Sequence, residues 1–268
     1  MPTSTFPLTG PIELVVRIGH GSVSVDTADG LTEAKVVVDP GKHAGELLAQ
    51  TTIELTGRTL LVSAPRQGGL FDLPVFGRRA GRSLDVHIRV PTGTPVRIST
   101  FTAPITISGP VGGADLAWGA ADVAVRDVDG DLRMRYGNGT AKAVRVTGSV
   151  QLRAGSGSAQ FGEIGSGLSA GCGSGDLRAR VVRGGVRSRS GSGTIELGEV
   201  HGDVDVVSGS GDVAIGLPAG VSAKLDVQTG SGRVDSELPI EDRPQPKAET
   251  IRLRARTGHG NVRLFRAA

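Results

Sequence analysis

Apolar residues along most of this chain return on an eighteen-residue grid. Counted from Gly119, positions 5, 7, 10, 14 and 16 are Val123, Val125, Val128, Leu132 and Met134. From Gly137 they are Ala141, Ala143, Val146, Val150 and Leu152, and from Gly155 they are Ala159, Phe161, Ile164, Leu168 and Ala170. From Gly191 they are Ile195, Leu197, Val200, Val204 and Val206. Polar residues fill the places between. Alternation over positions 5–7 and 14–16 predicts two short strands per coil, with the residue at position 10 between them. Copies of one strand then stack in register about 4.8 Å apart. The fold class expected is all-β: a single-chain β-solenoid, or β-helix, with 18-residue turns. A hexapeptide coil is set aside, because the apolar spacing does not follow a six-residue step.

Glycine marks the same grid. Gly137, Gly155, Gly173, Gly191 and Gly209 are each 18 apart, and four of them open the word Gly-Ser-Gly. A second comb, Gly112, Gly130, Gly148, Gly184, Gly202 and Gly220, lies between them, with Ser166 in the one missing place. Glycines at positions 1, 3 and 12 are expected to form the corners, where positive φ or close backbone approach is required. After Gly209 the period slips. The next word starts at Gly230 and the last, Gly-His-Gly, at Gly258.

The first 82 residues are patterned less regularly and are expected to form a β-rich N-terminal cap, with the solenoid over residues 83–268. Ile12, Leu14, Val16 and Ile18 alternate, and Gly19-His20-Gly21 is an early copy of the repeat word. Asp39-Pro40 resembles a helix N-cap followed by proline, which predicts a short helix over about 41–50. Thr52–Leu55 and Leu60–Ser63 flank Thr56-Gly57-Arg58-Thr59 and predict a hairpin. Residues 65–82 are expected to be a loop carrying Phe71 and Phe76 beside Arg78 and Arg79. It is either a cover for one end of the stack or a docking surface. Residues 239–250, charged and proline-bearing, are expected to be a loop insertion.

Composition narrows the class. Glycine is abundant at 42 residues, yet it does not recur every third residue, so collagen is excluded. A hydrophobic share of 38% with net charge of only +3 argues against disorder. One cysteine, Cys172, excludes an intramolecular disulfide. There is no basic segment followed by an apolar stretch at the start and no run long enough for a membrane span, so the expected location is the cytoplasm.

Candidate chemistry is sparse. Position 4 reads Asp122, Thr140, Ser158, Asp176, Thr194 and Asp212. Calcium solenoids carry aspartate in a Gly-Gly-initiated nonapeptide, which is absent here. Side-chain-to-backbone bonding at turns accounts for Asp, Ser and Thr alike. Position 18 reads Trp118, Tyr136, Ala154, Cys172, Ser190 and Ser208, either a tapering core column or a sugar-stacking surface. Five histidines show no metal-ligand spacing, and the Gly-x-Gly words precede strands rather than helices, so no catalytic, cofactor-binding or metal residue is assigned. What remains is basic: Arg133, Arg135, Arg153, Arg178, Arg180, Arg187 and Arg189 occupy outward positions and could stack into an arginine stripe. Nucleic acid is disfavoured, since no aromatics interleave with them.

The words Ser208-Gly209-Ser210-Gly211-Asp212-Val213, Thr229-Gly230-Ser231-Gly232-Arg233-Val234 and Ile251–Val262, with the hairpin segment Gly57–Val62, resemble the bacterial β-strand-repeat proteins labelled "putative adhesin", a domain-of-unknown-function family of actinobacterial type. The resemblance implies a β-solenoid and carries over no catalytic residues. The expected function is a non-enzymatic scaffold or interaction protein, with a protein partner or self-association through the solenoid ends. The alternatives are a binding module for an anionic glycan or envelope polymer, and, disfavoured, a carbohydrate-active β-helix enzyme.

Overall fold

Alternate residues of a strand point to opposite faces, and in this protein one of those faces is buried in nearly every strand. The computed structural model describes residues 2–41, 44–65, 83–238 and 250–267. They divide into two units, Met1–Asp129 and Gly130–Ala268, each made of strands that alternate between a sheet A and a sheet B. The fold is the expected all-β solenoid. Phe71, Phe76, Arg78 and Arg79, and the expected loop insertion up to residue 249, lie outside the described residues.

In the first unit the elements are β1 (Thr3–Pro7), β2 (Glu13–Arg17), β3 (Gly21–Ala28), β4 (Glu33–Pro40), α1 (Gly45–Ala49), β5 (Thr52–Thr56), β6 (Thr59–Ser63), β7 (Leu84–Pro91), β8 (Val96–Ser99), β9 (Ile105–Val111), β10 (Ala114–Ala120) and β11 (Val123–Val128). Sheet A runs β1-β4-β7-β3-β9-β11 and sheet B runs β5-β6-β2-β8-β10. The ladders of β3 with β7 and β9, and of β2 with β6 and β8, are parallel. Antiparallel strands β1, β4 and β5 close the outer edge. The coil β2–β3 therefore lies between coil β6–β7 and coil β8–β9, although it comes before both in sequence.

The predicted hairpin is β5–β6, turning at Gly57, whose φ is 60°. The predicted helix is present but shorter, and Asp39-Pro40 does not cap it. Those two residues end β4, where Pro40 stands opposite Leu84. Ala34, Val36 and Val38 alternate into the core with no exposed surface, and this burial outweighs the local capping signal.

The second unit contains β12 (Leu132–Asn138), β13 (Thr140–Val146), β14 (Val150–Ser156), β15 (Ser158–Ile164), β16 (Leu168–Ser174), β17 (Leu177–Val182), β18 (Val186–Ser192), β19 (Ile195–Val200), β20 (Val204–Ser210), β21 (Val213–Leu217), β22 (Ser222–Ser231), β23 (Val234–Ser236), β24 (Thr250–His259) and β25 (Val262–Arg266). Sheet A runs β13-β15-β17-β19-β21-β25-β23 and sheet B runs β12-β14-β16-β18-β20-β24-β22. The ladders among the described residues of this unit are parallel. Here too the order in space differs from that in sequence. Coil β24–β25, the last in the chain, sits between β20–β21 and β22–β23.

That exchange explains the slipped glycine period. A Cβ on Gly258 would lie 2.6 Å from the carbonyl oxygen of Gly209, and one on Gly230 would lie 2.6 Å from that of Gly258. The comb is continuous in space through Gly209, Gly258 and Gly230.

The strands are longer than the alternation suggests. Sheet B strands run from position 14 through position 2 of the next coil, so the position-1 glycines lie inside strands and are not corners. They are glycine because backbone packs on backbone: a Cβ on Gly155 would meet the Gly137 carbonyl oxygen at 2.5 Å. The true corners are at position 3, where Gly139, Gly157, Gly175, Gly193 and Gly211 have φ of 119°, 108°, 124°, 112° and 131°. Position 12 is mixed. Gly130 and Gly220 have φ of 151° and 81°, but Gly148, Gly184 and Gly202 do not have positive φ, and Ser166 serves there with its amide donating to the Gly148 carbonyl at 3.1 Å.

Position 10 belongs to the sheet A strand. In β13 the ladder to β15 is interrupted at Val144, passing from Ala143↔Phe161 to Arg145↔Glu163. The same interruption recurs between β15 and β17 and between β17 and β19. Two consecutive residues face outward at this kink, which shifts the inward phase by one and produces the 5, 7, 10 spacing.

Candidate functional site

The inward columns are occupied by structure. Trp118 and Tyr136 are 4% and 6% exposed, so neither offers a ring face to a sugar. The Trp118 indole N–H donates to the Ala121 carbonyl at 3.0 Å, and the Tyr136 hydroxyl donates to the Ser158 carbonyl at 3.1 Å. Burial pushes the Tyr136 phenol above its ordinary range and also raises the Cys172 thiol, which is half-buried. A phenol and thiol held protonated in this column have the character of core groups.

Aspartates near the corners tie one coil to the next. Asp176 accepts from the Thr194 amide at 3.0 Å, and Asp212 accepts from the Asn261 amide at 2.7 Å. Asn261 in turn accepts from the Arg233 amide at 3.0 Å. At the other corner Asp131 accepts from both the amide and the hydroxyl of Ser149 at 2.8 Å, and Asp203 accepts from the Arg252 amide at 2.8 Å. The bonds from Ser149 hold the Asp131 carboxyl below its ordinary value. Among the described residues, no group of three or more His, Cys, Asp or Glu side chains is placed to share a metal ion.

Function is left to the outward faces, and the arginines there divide between two sheets. Arg178 and Arg180 are on β17 of sheet A, whereas Arg133, Arg135, Arg153, Arg187 and Arg189 are on β12, β14 and β18 of sheet B. The single stripe expected from the sequence is thus two faces, because positions 6 and 8 belong to one strand of the coil and positions 15 and 17 to the other.

Three arginines on the sheet A side are charge-paired. The Arg178 Nε lies 3.0 Å from Glu196, Arg183 lies 2.9 Å from Glu163, and Arg263 lies 2.7 Å from Glu237. His201 adds a bond of 2.8 Å to Glu199. The hydrogen bond from Arg183 holds the Glu163 carboxyl below its usual range, with the charges of Arg183, Arg180 and Arg145 adding to it.

The sheet B face of the second unit is predominantly basic. Intercalation of β24 brings Arg252, Arg254 and Arg256 onto it, and β22 contributes Lys224. Its strands carry only Asp205 and Asp226 in opposition. Asp226 holds Arg254 at 3.6 Å and Arg256 at 3.1 Å, while Asp205 lies 3.8 Å from Arg187. The Arg133 Nε–H donates to the Gln151 side-chain Oε1 at 3.3 Å. Arg153 and Arg189 have no side-chain partner among the described residues.

Between those two arginines the face is low. The register places Arg153 beside Gly171 and Gly171 beside Arg189, with Gln151, Ser169 and Arg187 in the next row. A Cβ on Gly171 would meet nothing within 4 Å, so this glycine, unlike its neighbour Gly173, is not imposed by packing. Two strand spacings separate the flanking arginines, about 9.6 Å. The arrangement is a shallow trough with guanidinium groups on both sides.

Arg252, Arg254 and Arg256 are missing from the sequence-derived set. The signal for them is the glycine word: Arg254 precedes Gly258 by the same four residues as Asp205 precedes Gly209.

No helix among the described residues is long and apolar enough to cross a membrane. No curated protein matches the sequence. Solved structures similar to it include a Bacteroides fragilis "putative adhesin", at 14% identity over 98% of this chain and 96% of that one with a TM-score of 0.42. A Parabacteroides distasonis "putative adhesin" gives 14% identity, 98% and 96% coverage and a TM-score of 0.41. A "putative lipid binding protein" from the same species gives 12% identity, 99% and 97% coverage and a TM-score of 0.38. The family described as Toastrack DUF4097 matches residues 32–266, nearly the whole solenoid, and the chain belongs to that family.

Proposed function

We propose that this chain is a non-enzymatic, adhesin-like interaction protein that binds an anionic polymer, such as an acidic glycan or envelope polymer, along the outer sheet B face of its second unit. The observation that carries this reading is the contrast between the two faces. Arg178, Arg183 and Arg263 on the sheet A side are paired with glutamates at 2.7–3.0 Å, whereas the described strands of sheet B set their basic residues against only two aspartates. Unpaired guanidinium groups at about twice the strand spacing suit repeated carboxylate or sulfate groups, to which arginine donates in bidentate fashion. Nucleic acid is the weaker ligand class, because the described residues of this face offer no exposed aromatic rings for base stacking.

The test is binding of the intact protein to a sulfated or uronic-acid glycan, with neutral dextran as the control, across a salt series. Affinity is expected to fall with salt. Replacing Arg153, Arg187 and Arg189 together by serine should weaken binding at least about tenfold, as expected where several charge-assisted contacts are lost. Replacing Arg178 and Arg180 should leave it unchanged. Binding that is absent, salt-insensitive or equally affected by both sets overturns the reading. Fractionation of the source cells distinguishes a cytoplasmic polyanion from an envelope polymer.

A further inference from the structure

The core columns of the second unit continue into β22 and β23 and there become exposed. The register places Leu225 on Leu253, and exposure rises from 1% to 37% in that single step. It likewise places Val234 on Val262, and exposure rises from 0% to 48%. These side chains point inward by position, so they are core residues without a next layer among the described residues. Among the described residues, β22 is paired only with β24 and β23 only with β25. Strand β22 is ten residues long, and no strand among the described residues pairs with its outer main-chain edge, the feature that β-proteins ordinarily shorten, charge or cover. The outer layer of the first unit has such a cover, with antiparallel β1, β4 and β5 and the short helix α1 whose Leu47 is buried.

The geometry points to a second copy of this chain as the occupant of the β22 edge, the two strands pairing antiparallel about a two-fold axis through Leu225. The sequence of the strand is self-complementary in that register. Leu225 faces Leu225, Ala223 faces Val227, and Lys224 faces Asp226 twice over, with apolar pairs inward and opposite charges outward. Neighbouring registers are penalised. A shift of one residue sets inward side chains against outward ones. A two-residue shift places either Lys224 against Lys224 or Asp226 against Asp226, like charges directly opposed. The pairing continues the sheet, covers Leu225, Val227 and Val234 with a further core layer, and closes the assembly as a dimer because the interface is isologous. It is independent of the basic-face reading, since its readout is association state and not polyanion binding.

The experiment uses the full chain. Sedimentation velocity of the wild type over a concentration series should show a reversible monomer–dimer equilibrium. In a Cys172→Ser background, Leu225→Cys should form a covalent dimer under mild oxidation. Gln228→Cys should not, because its counterpart lies about 20 Å away along the strand, beyond disulfide reach. Lys224→Glu, which faces Asp226 of the second copy, should weaken dimerisation about tenfold. A strict monomer at every concentration overturns the inference, as do equal cross-linking at the two cysteine positions and an unaffected Lys224→Glu variant. A monomer whose β22 amides are strongly protected from hydrogen exchange also overturns it, by showing that the chain covers its own edge.

Discussion

Gly171 and Gly173 are two residues apart on β16 and project to the same outer face, yet alanine should have opposite effects at the two sites. A Cβ on Gly173 would stand 2.5 Å from the Gly155 carbonyl oxygen, about 0.9 Å short of the 3.4 Å where ordinary contact begins. That oxygen is part of the backbone of the adjoining coil, which is fixed by the β14–β16 ladder on either side of the contact. Relief has to come from prying the two coils apart, so Gly173→Ala should cost about 1–3 kcal/mol, the range for overpacking a rigid site. At Gly171 the same methyl group meets nothing within 4 Å. Its φ lies outside the left-handed region, so alanine is accommodated and removes freedom mainly from the unfolded chain. Gly171→Ala should therefore be neutral or stabilising by about 0.4–1 kcal/mol. Urea unfolding followed by far-UV circular dichroism measures both, and the midpoints should move in opposite directions at constant slope. Stacked folds can unfold in segments, so hydrogen exchange at the β16 amides provides the local check. A Gly173→Ala protein within about 0.5 kcal/mol of wild type, or a Gly171→Ala protein equally destabilised, would refute close backbone approach as the cause of the glycine column.

Other outcomes follow from the same geometry. Asp131→Ala should destabilise the protein near neutral pH. Because the folded pKa is depressed below 3.8, the stabilisation is present above that value and lost as pH falls through the lower folded pKa. The difference between wild type and variant should then shrink in acid, and a pH-independent difference counts against the Ser149 contact. Leu253→Ala should cost about 2–5 kcal/mol, while Leu225→Ala, one layer out and 37% exposed, should cost under about 1 kcal/mol in the monomer. Cys172 should react with a thiol reagent far more slowly in the native state than in urea, since burial raises its pKa and lowers the thiolate fraction. A native rate equal to that of free cysteine would contradict its place in the inward column.

The repeat length, the inward positions and the hairpin were legible because each rests on side-chain alternation or on a short turn word. Strand length was not, because Gly155 and Gly173 look like corners to anyone reading glycine as a turn residue. They are strand residues selected by the carbonyl in the adjoining coil, a contact eighteen positions away in sequence. Position 10 reads as an isolated apolar residue until the interruption at Val144 shows that the inward phase moves by one within a single strand. Asp39-Pro40 misled for the opposite reason, since a strong local signal lost to the burial of Val36 and Val38. For the candidate face, the arginines read as one stripe until positions 6 and 8 are assigned to a different strand from 15 and 17, and Arg252, Arg254 and Arg256 join it only when Gly258 is aligned with Gly209, as the stacking of β24 on β20 does.

Both exchanged coils share one physical consequence. In an uninterrupted solenoid the first and last coils would each have one free edge, and chain termini are where fraying begins. Here the terminal coil β2–β3 has parallel ladders on both sides, with β6–β7 and β8–β9, and so has β24–β25, with β20–β21 and β22–β23. In the second unit the outermost layer, β22–β23, is an internal segment tethered at both ends, whereas sheet A of the first unit ends on β1. The two long non-repeating stretches of sequence, within residues 64–83 and 237–249, fall in the links that this ordering requires, β6 to β7 and β23 to β24. A repeat protein needs distinct end layers because an identical final coil would leave its core open. In the first unit that layer is antiparallel and covered, and in the second unit the covering is what a second copy would supply.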